Sequence, residues 1–393
     1  MNYPKIVLQK GKEESIKRYH PWIFSGAVKD KEHKLEEGDI VDVYSSDNQF
    51  LGCGYFQKGS IAVRILSFKQ EEINKEFWKN KLQHAFNYRK NSGIFDAKTL
   101  NVYRLVHAEG DSIPGLIIDI FNDIAVFQAH SSGIYRLKNA IYEAIIEIFE
   151  GRISEVYDKS REYLNNVVGV KQSDCKTVFK NPVRVNENNH NFLVDIENGQ
   201  KTGFYIDQRE NRYLLSSYAK NKRILNVFSY TGAFSVYGLK SGADLVHSVD
   251  SSQAALDICE ENIRINQTDH LNHLSICSDA FDFLNQQKLD YDIVILDPPA
   301  FAKRIDARHQ AVKGYKRLNS LALSKMKPKS LLFTFSCSQA IDRQLFNDTI
   351  RSAAIESHRK VKIISQLGQA ADHPINIFHP ESEYLKGLVL WIE

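Results

Sequence analysis

Short apolar runs recur along the whole chain, and what separates them changes with position. Between residues 39 and 68, "DIVDVYSS", "QFLGCGYF" and "SIAVRILSF" alternate apolar and polar side chains with turns at "SDN" and Gly59. That two-residue period predicts strands half-buried on one small sheet. From 73, "INKEFWKNKLQHAFNYRKNSG" has helical spacing and closes on Gly93, a helix-stop signal. The strands "YRLVHAEG", "GLIIDIFN" and "IAVFQAHSS", the helix "YRLKNAIYEAIIEIF" and the strand "RISEVYDK" then read as a small α+β unit. After about 190 the order becomes strand, helix, strand. "RILNVFSY", "DLVHSVD", "LSICSD", "YDIVILDPP", "SLLFTFSC" and "VKIISQL" are apolar throughout, and most are separated by helical stretches such as "SSQAALDICEENIRINQ" and "DRQLFNDTIRSAAIESH". Continuously apolar strands with helices between them predict a parallel sheet covered on both faces. The expected fold is α/β: a C-terminal doubly wound, Rossmann-like domain over 189–393, a β-rich domain over 1–70, and a helical connector with a small α+β domain over 71–188.

In a doubly wound sheet, ligands bind outside the carboxyl ends of the strands. The first such end is Phe228-Ser229-Tyr230-Thr231-Gly232-Ala233, where one glycine makes the turn into a helix. The nicotinamide fingerprint needs three glycines, so a nicotinamide enzyme is the weakest alternative. The second strand ends in Asp250-Ser251, where a carboxylate can accept both hydroxyls of a ribose. The third ends in Asp279 followed by "AFDFL", suited to an adenine amine and ring. A lone aspartate at such a place is ordinarily a helix cap. Three such strand ends in register point instead to a nucleoside without a pyrophosphate, and S-adenosylmethionine is such a ligand.

The fourth strand ends in Asp297-Pro298-Pro299-Ala300-Phe301. Two prolines hold the aspartate and the aromatic in an extended loop, an arrangement that adenosylmethionine enzymes turn toward a planar nitrogenous base. The fifth strand ends in Cys337, which should emerge beside Asp297. Pyrimidine C5 is too poor a nucleophile to take a methyl group unaided, and a thiolate adding at C6 makes it an enamine carbon. Cys337 is the candidate nucleophile. Asp297 is placed at N3 or the exocyclic amine, and is also a candidate base for the C5 proton. Lys303, Arg304, Arg308, Lys313, Lys316 and Arg317 follow the loop. Such a run is either a solvated helix face or a set of phosphate contacts.

Composition narrows the class. At 393 residues, with 43% apolar and 25% charged side chains, the chain has the make-up of a globular protein of two or three domains. No stretch approaches the roughly 18 apolar residues of a membrane helix, and "MNYPKIVLQKGKEES" has no apolar leader, so a cytoplasmic protein is expected. Cysteines at 53, 175, 259, 277 and 337 are scattered and odd in number, which argues against a disulfide framework or zinc site. His373 and His379, with Asp372 or Glu381, match no ligand spacing, and no metal is expected. A net charge of +3 permits nucleic-acid binding without demanding it. Trp22 and Phe24, between His20 and Lys29, are either core or a platform for unpaired bases.

From 199 onward the chain closely resembles the RlmI-type large-subunit ribosomal RNA cytosine-C5 methyltransferases. The likeness is carried by "GQKTGFYIDQRENR", "NVFSYTGAF", "VDSSQAALDICEENIRIN", "DPPAF", "GYKRLN", "LLFTFSCS", "QAADHP" and "YLKG". "HPWIFSGAV" and "EEGDIVDVY" resemble the same family's RNA-binding PUA domain, and the middle segment resembles its linker domain. The resemblance implies S-adenosylmethionine as donor, a cytosine in large-subunit rRNA as acceptor, Cys337 as nucleophile and, as an option, a homodimer. Two departures stand out. Ala300 occupies the place of a lysine common in the family, with Lys303 close enough to substitute, and no second cysteine follows the proline of the fourth-strand motif. A guanine-nitrogen methyltransferase on the same fold, or a non-catalytic RNA-binding protein, would not need Cys337.

Overall fold

The computed structural model describes residues 3–32, 34–94, 99–160, 179–266, 272–286, 288–302 and 305–393. Two compact units emerge. The first comprises Met1–Val185, Val194–Gly203 and Ala371–Ser382, the second Asn186–Leu193, Phe204–Ala370 and Glu383–Glu393.

In the first unit the alternating segments form a six-stranded sheet in the order Trp22–Phe24, Ile61–Ser67, Phe50–Phe56, Ile40–Tyr44, Lys5–Leu8, Val28–Lys31. Its core is the inward set Ile6, Leu8, Val41, Val43, Val63 and Ile65. A Cβ on Gly54 would lie 2.0 Å from the Arg64 carbonyl oxygen, so only glycine lets these strands approach. Trp22 is half-buried with its indole N–H donated to Glu109 at 2.9 Å, whereas Phe24 is 51% exposed. The two aromatics thus divide between packing and surface. A second sheet orders Glu155–Asp158, Ile124–Ala129, Leu116–Phe121 and Val102–His107, as the middle segment predicts.

Ala371–Ser382 returns to this first unit. Asp372 accepts the Arg104 amide at 2.9 Å and lies 2.8 Å from His373 Nδ1. His379 is buried, with its ring 4.4 Å from that of Trp22 and Nε2 3.8 Å from Glu381.

The second unit is built on a seven-stranded sheet. Five strands are parallel: β1 (Arg223–Val227), β2 (Leu245–Asp250), β3 (His273–Cys277), β4 (Ile293–Leu296) and β5 (Ser330–Ser336). They lie in the order β3-β2-β1-β4-β5, so the topology switches between β1 and β4. Helices α1 (Ala233–Lys240), α2 (Gln253–Ile265), α3 (Ala280–Gln286), α4 (Arg308–Lys325) and α5 (Arg343–Glu356) form most of the connections. Beyond β5 the sheet departs from expectation. The strand predicted at "VKIISQL", β6 (Val361–Gly368), does not lie beside β5. A further strand, β7 (Lys386–Ile392), inserts between them antiparallel to both. Its sequence "KGLVLWI" is apolar like its neighbours, so composition shows a buried strand but neither its direction nor its partners. As the edge, β6 leaves Ile363 52% and Ile364 43% exposed. Among the described residues no helix is long and apolar enough to cross a membrane.

Candidate active site

The turn after β1 is held by backbone geometry. Phe228, Tyr230 and Gly232 all have positive φ, at 62°, 47° and 76°. A Cβ on Gly232 would sit 2.1 Å from Cys259 Sγ, so glycine is required both for the turn and for its approach to α2. Cys259, fully buried beneath it, has a packing role, and burial pushes its thiol up to about 12. The turn is pinned by Ser229 N–H to Val249 O at 3.0 Å and by the Asn262 side-chain amide to Thr231 O at 2.9 Å.

Asp250 at the end of β2 takes the Tyr230 amide on Oδ2 at 2.8 Å and the Ser252 amide on Oδ1 at 3.0 Å. Each carboxylate oxygen keeps acceptor capacity after one such bond. Asp250 can therefore order the turn and still receive two hydroxyls. Ser251, beside it, is exposed. Asp279 caps α3, accepting the Phe281 and Asp282 amides on Oδ1 at 2.8 and 3.1 Å, which leaves Oδ2 for a ligand. The capping role and a binding role coexist there. Two buried polar atoms at the same place have no partner: Ser229 Oγ and Asn226 Oδ1. Ser229 Oγ lies in the turn itself and Asn226 Oδ1 in the strand leading into it, where a nucleoside could supply the missing hydrogen bonds. Free carboxylate lone pairs, orphaned polar atoms and a backbone turn stripped of a side chain suit adenosylmethionine.

Across the switch point, Asp297 is half-buried at the end of β4, Pro298 is buried and Pro299 exposed. Phe301 is half-buried beyond the prolines. Its ring lies 4.6 Å from that of Tyr315 and over Gly314, where a Cβ would come within 2.9 Å of it. It anchors the loop to α4 with that face, a demand that a sequence string cannot display. Ser338 secures the same loop, its Oγ accepting the Ala302 amide at 3.3 Å and lying 2.9 Å from the Tyr315 hydroxyl.

Cys337 is half-buried with Sγ 3.9 Å from the Pro298 carbonyl oxygen. The predicted meeting of the fifth-strand thiol with the fourth-strand loop is thus present. Cys53, like Cys259, is fully buried, Cys277 is exposed, and Cys175 lies outside the described residues.

Two side chains that sequence reasoning left without a role complete the cluster. Tyr205 has its ring 5.3 Å from Tyr230, and its phenol pKa is driven far up, first by burial and then by Asp297, Asp207, Tyr230 and Cys337. Its ring thus packs beside the turn after β1. Lys386 at the start of β7 is buried and donates to the Ser338 carbonyl at 2.9 Å. Both sit in blocks that carry the family resemblance, "GFYIDQ" and "YLKG", which is the one signal that could have found them.

The basic run is less uniform than its sequence. Lys303 and Arg304 lie outside the described residues. Arg308 pairs with Asp342 at 3.1 Å and Lys316 with Glu356 at 2.6 Å, both at the surface. Arg317 covers the Phe281 ring at 4.8 Å, and Lys313 is exposed. Part of this helix face is therefore neutralised by its own neighbours.

Residues 6–68 match the family of PUA-like domains, and residues 167–366 match the S-adenosylmethionine-dependent methyltransferases. The chain is 38% identical over 396 residues to ribosomal RNA large subunit methyltransferase I of Alteromonas mediterranea, covering 98% of each. It is 39% identical over 391 residues to the protein of that name from Vibrio parahaemolyticus, covering 97% of this chain and 98% of that one. Among solved structures it is similar to SMU.776, a methyltransferase complexed with SAH, at a TM-score of 0.85 and 25% identity, covering 99% of this chain and 100% of that one.

Proposed function

Because the chain belongs to the ribosomal RNA large subunit methyltransferase I family and to the S-adenosylmethionine-dependent methyltransferases, we propose that it methylates C5 of a cytosine in large-subunit rRNA through a covalent bond to Cys337. The observation that carries this reading is the thiol at the end of β5, 3.9 Å from the Pro298 carbonyl of the Asp297 loop. A ring nitrogen carries its own lone pair and needs no such group, whereas C5 does. The same reading has the enzyme act in the cytoplasm.

Phe228 to Ala233, Asp250, Ser251 and Asp279 would hold the cofactor, with Asp250 on the ribose and Asp279 by the adenine. When bound, it supplies the methyl group as an electrophile, which C5 takes as the sulfonium–methyl bond breaks. Cys337 attacks C6 as thiolate, and the ring electrons displaced by the new C–S bond make C5 nucleophilic. Asp297, as the acid, gives N3 its proton as negative charge develops there and takes it back when the ring is restored. Loss of the C5 proton then re-forms the C5–C6 double bond and expels the thiolate. Pro298 and Pro299 fix that loop, Phe301 anchors it, and Lys303, Arg304 and Arg308 would contact the RNA backbone. Exposed Phe24 and Tyr19 on the PUA-like domain offer stacking faces for unpaired bases.

The test is product identity. Large-subunit rRNA lacking its native methylation, incubated with labelled donor and digested to nucleosides, should yield labelled 5-methylcytidine. A label on a guanine nitrogen would overturn the reading.

Asp250→Ala should weaken donor binding about 10- to 150-fold, the equivalent of roughly 1.5–3 kcal/mol for hydrogen bonds to a charged group. Asp250→Asn, which keeps one acceptor oxygen, should lose less. Calorimetry on the folded variants measures both, and unchanged affinity in Asp250→Ala would remove this carboxylate from the site.

A further inference from the structure

Lys386 is 1% exposed and sits on β7 directly opposite Ser336, the residue before the thiol. Its Nζ donates to the Ser338 carbonyl at 2.9 Å and to the Tyr384 carbonyl at 2.6 Å. Those bonds use two of its three N–H groups. Both acceptors are neutral, and among the described residues no carboxylate forms an ion pair with it. Glu383, the nearest candidate in sequence, is taken by Arg343 at 2.6 and 2.9 Å. A buried ammonium without a counter-ion is expensive, and a leucine or methionine would fill a strand position at no such cost. Something at this place must repay the charge. Burial pushes the pKa of Lys386 down to about 8; Cys337 is the largest influence holding it up, followed by the Glu383 and Asp342 carboxylates, while Arg343 works against them.

The geometry points to Lys386 as the fixed counter-ion of the Cys337 thiolate, keeping the sulfur ionised before attack and receiving it when the adduct breaks down. This purpose rests on the cytosine-C5 reading, but the ion pair itself belongs to the free protein. At the outset the pair is sulfur anion and ammonium. Attack turns a sulfur lone pair into the C6–S bond, and a proton from the Asp297 carboxyl meets the displaced charge at N3. After C5 has taken the methyl group, elimination passes the C5 proton to water, uses the C5–H electron pair to re-form the double bond and returns the C–S pair to sulfur as thiolate, while Asp297 takes back the N3 proton. Lys386 keeps its proton throughout and touches no substrate atom. It is a positioning residue that acts through Cys337.

The test needs no RNA. Alkylation of Cys337 by iodoacetamide, followed peptide by peptide in mass spectrometry across pH, reads the thiolate fraction directly. Cys53 and Cys259, whose thiols burial pushes up to about 11 and about 12, serve as slow internal references. Wild-type protein should show an inflection at least one pH unit below the roughly 8.5 of an ordinary thiol. Lys386→Met should raise the inflection by a unit or more and slow alkylation at pH 7 about tenfold. Lys386→Arg, permanently charged, should keep the inflection low. Donor binding reports that the variants are folded. An equal inflection in wild type and folded Lys386→Met overturns the inference. If Lys386→Met does not fold, a wild-type inflection at or above about 8.5 overturns it alone. A labelled guanine in the product assay would refute the C5 reading while leaving this measurement standing, so the two failures are distinguishable.

Discussion

Cys337→Ser should lower methyl transfer to rRNA by several orders of magnitude while leaving donor affinity and folding unchanged. Serine keeps the size of the side chain and its hydrogen bonding. What it loses is ionisation: a thiol titrates at about 8.5, so a neighbouring cation can make it a thiolate near neutral pH, whereas a hydroxyl stays protonated throughout the working range. The attack on C6 that activates C5 then fails. The half-buried sulfur close to the Pro298 carbonyl carries no packing load comparable to that of Cys259, so the variant should fold. Single-turnover rates with undermethylated rRNA measure the loss, and calorimetry with the donor supplies the control. Full activity in the serine variant would leave the thiol without a role in the chemistry.

Arg212→Met should destabilise the second unit by about 3–5 kcal/mol, the cost of stranding one member of a buried ion pair. Arg212 is 1% exposed and grips Glu187, which is fully buried, through two parallel bonds of 2.9 and 2.7 Å. The Tyr237 hydroxyl adds a third donor to that carboxylate at 3.0 Å. The remaining Arg212 nitrogen donates to the Tyr205 carbonyl at 2.8 Å. One guanidinium thus ties the 186–193 segment to the backbone of the tyrosine that packs on Tyr230. Removing it leaves Glu187 charged and unpaired in the interior. The double variant Glu187→Gln, Arg212→Met should recover most of the stability, because it is the stranded charge rather than the lost pair that is expensive. Chemical denaturation followed by intrinsic fluorescence measures both. A single variant with an unchanged midpoint would show that the pair is energetically idle.

The parts of the site that lie at the ends of consecutive parallel strands were legible from sequence. Asp250, Asp279, Asp297 and Cys337 each close an apolar run, and a doubly wound sheet brings such ends to one edge. What the sequence could not show depends on partners far along the chain. Strand β7 has the same apolar composition as its neighbours, so its insertion between β5 and β6, and with it the placing of Lys386 opposite Ser336, comes from pairing and not from pattern. Tyr205 precedes its helix in irregular backbone, where no period marks a side chain as facing a site. Phe301 reads as a base-covering aromatic in the string "DPPAF", and only the open surface at Gly314 reveals that one of its faces packs on α4. The basic run reads as a single patch until Asp342 and Glu356 arrive from another helix to pair with two of its members.

The central claim is that Cys337 bonds covalently to a cytosine whose C5 receives the methyl group. Fluorine at C5 cannot leave as a cation, so an rRNA fragment carrying 5-fluorocytosine at the target should complete methyl transfer and then stall with sulfur still attached to C6. Wild-type protein with donor and this RNA should give a protein–RNA band that survives denaturant, and mass spectrometry of the digested band should place the nucleotide on Cys337. No such band from protein that fully methylates the unfluorinated RNA, or a band mapping to another residue, would contradict the covalent cytosine-C5 mechanism.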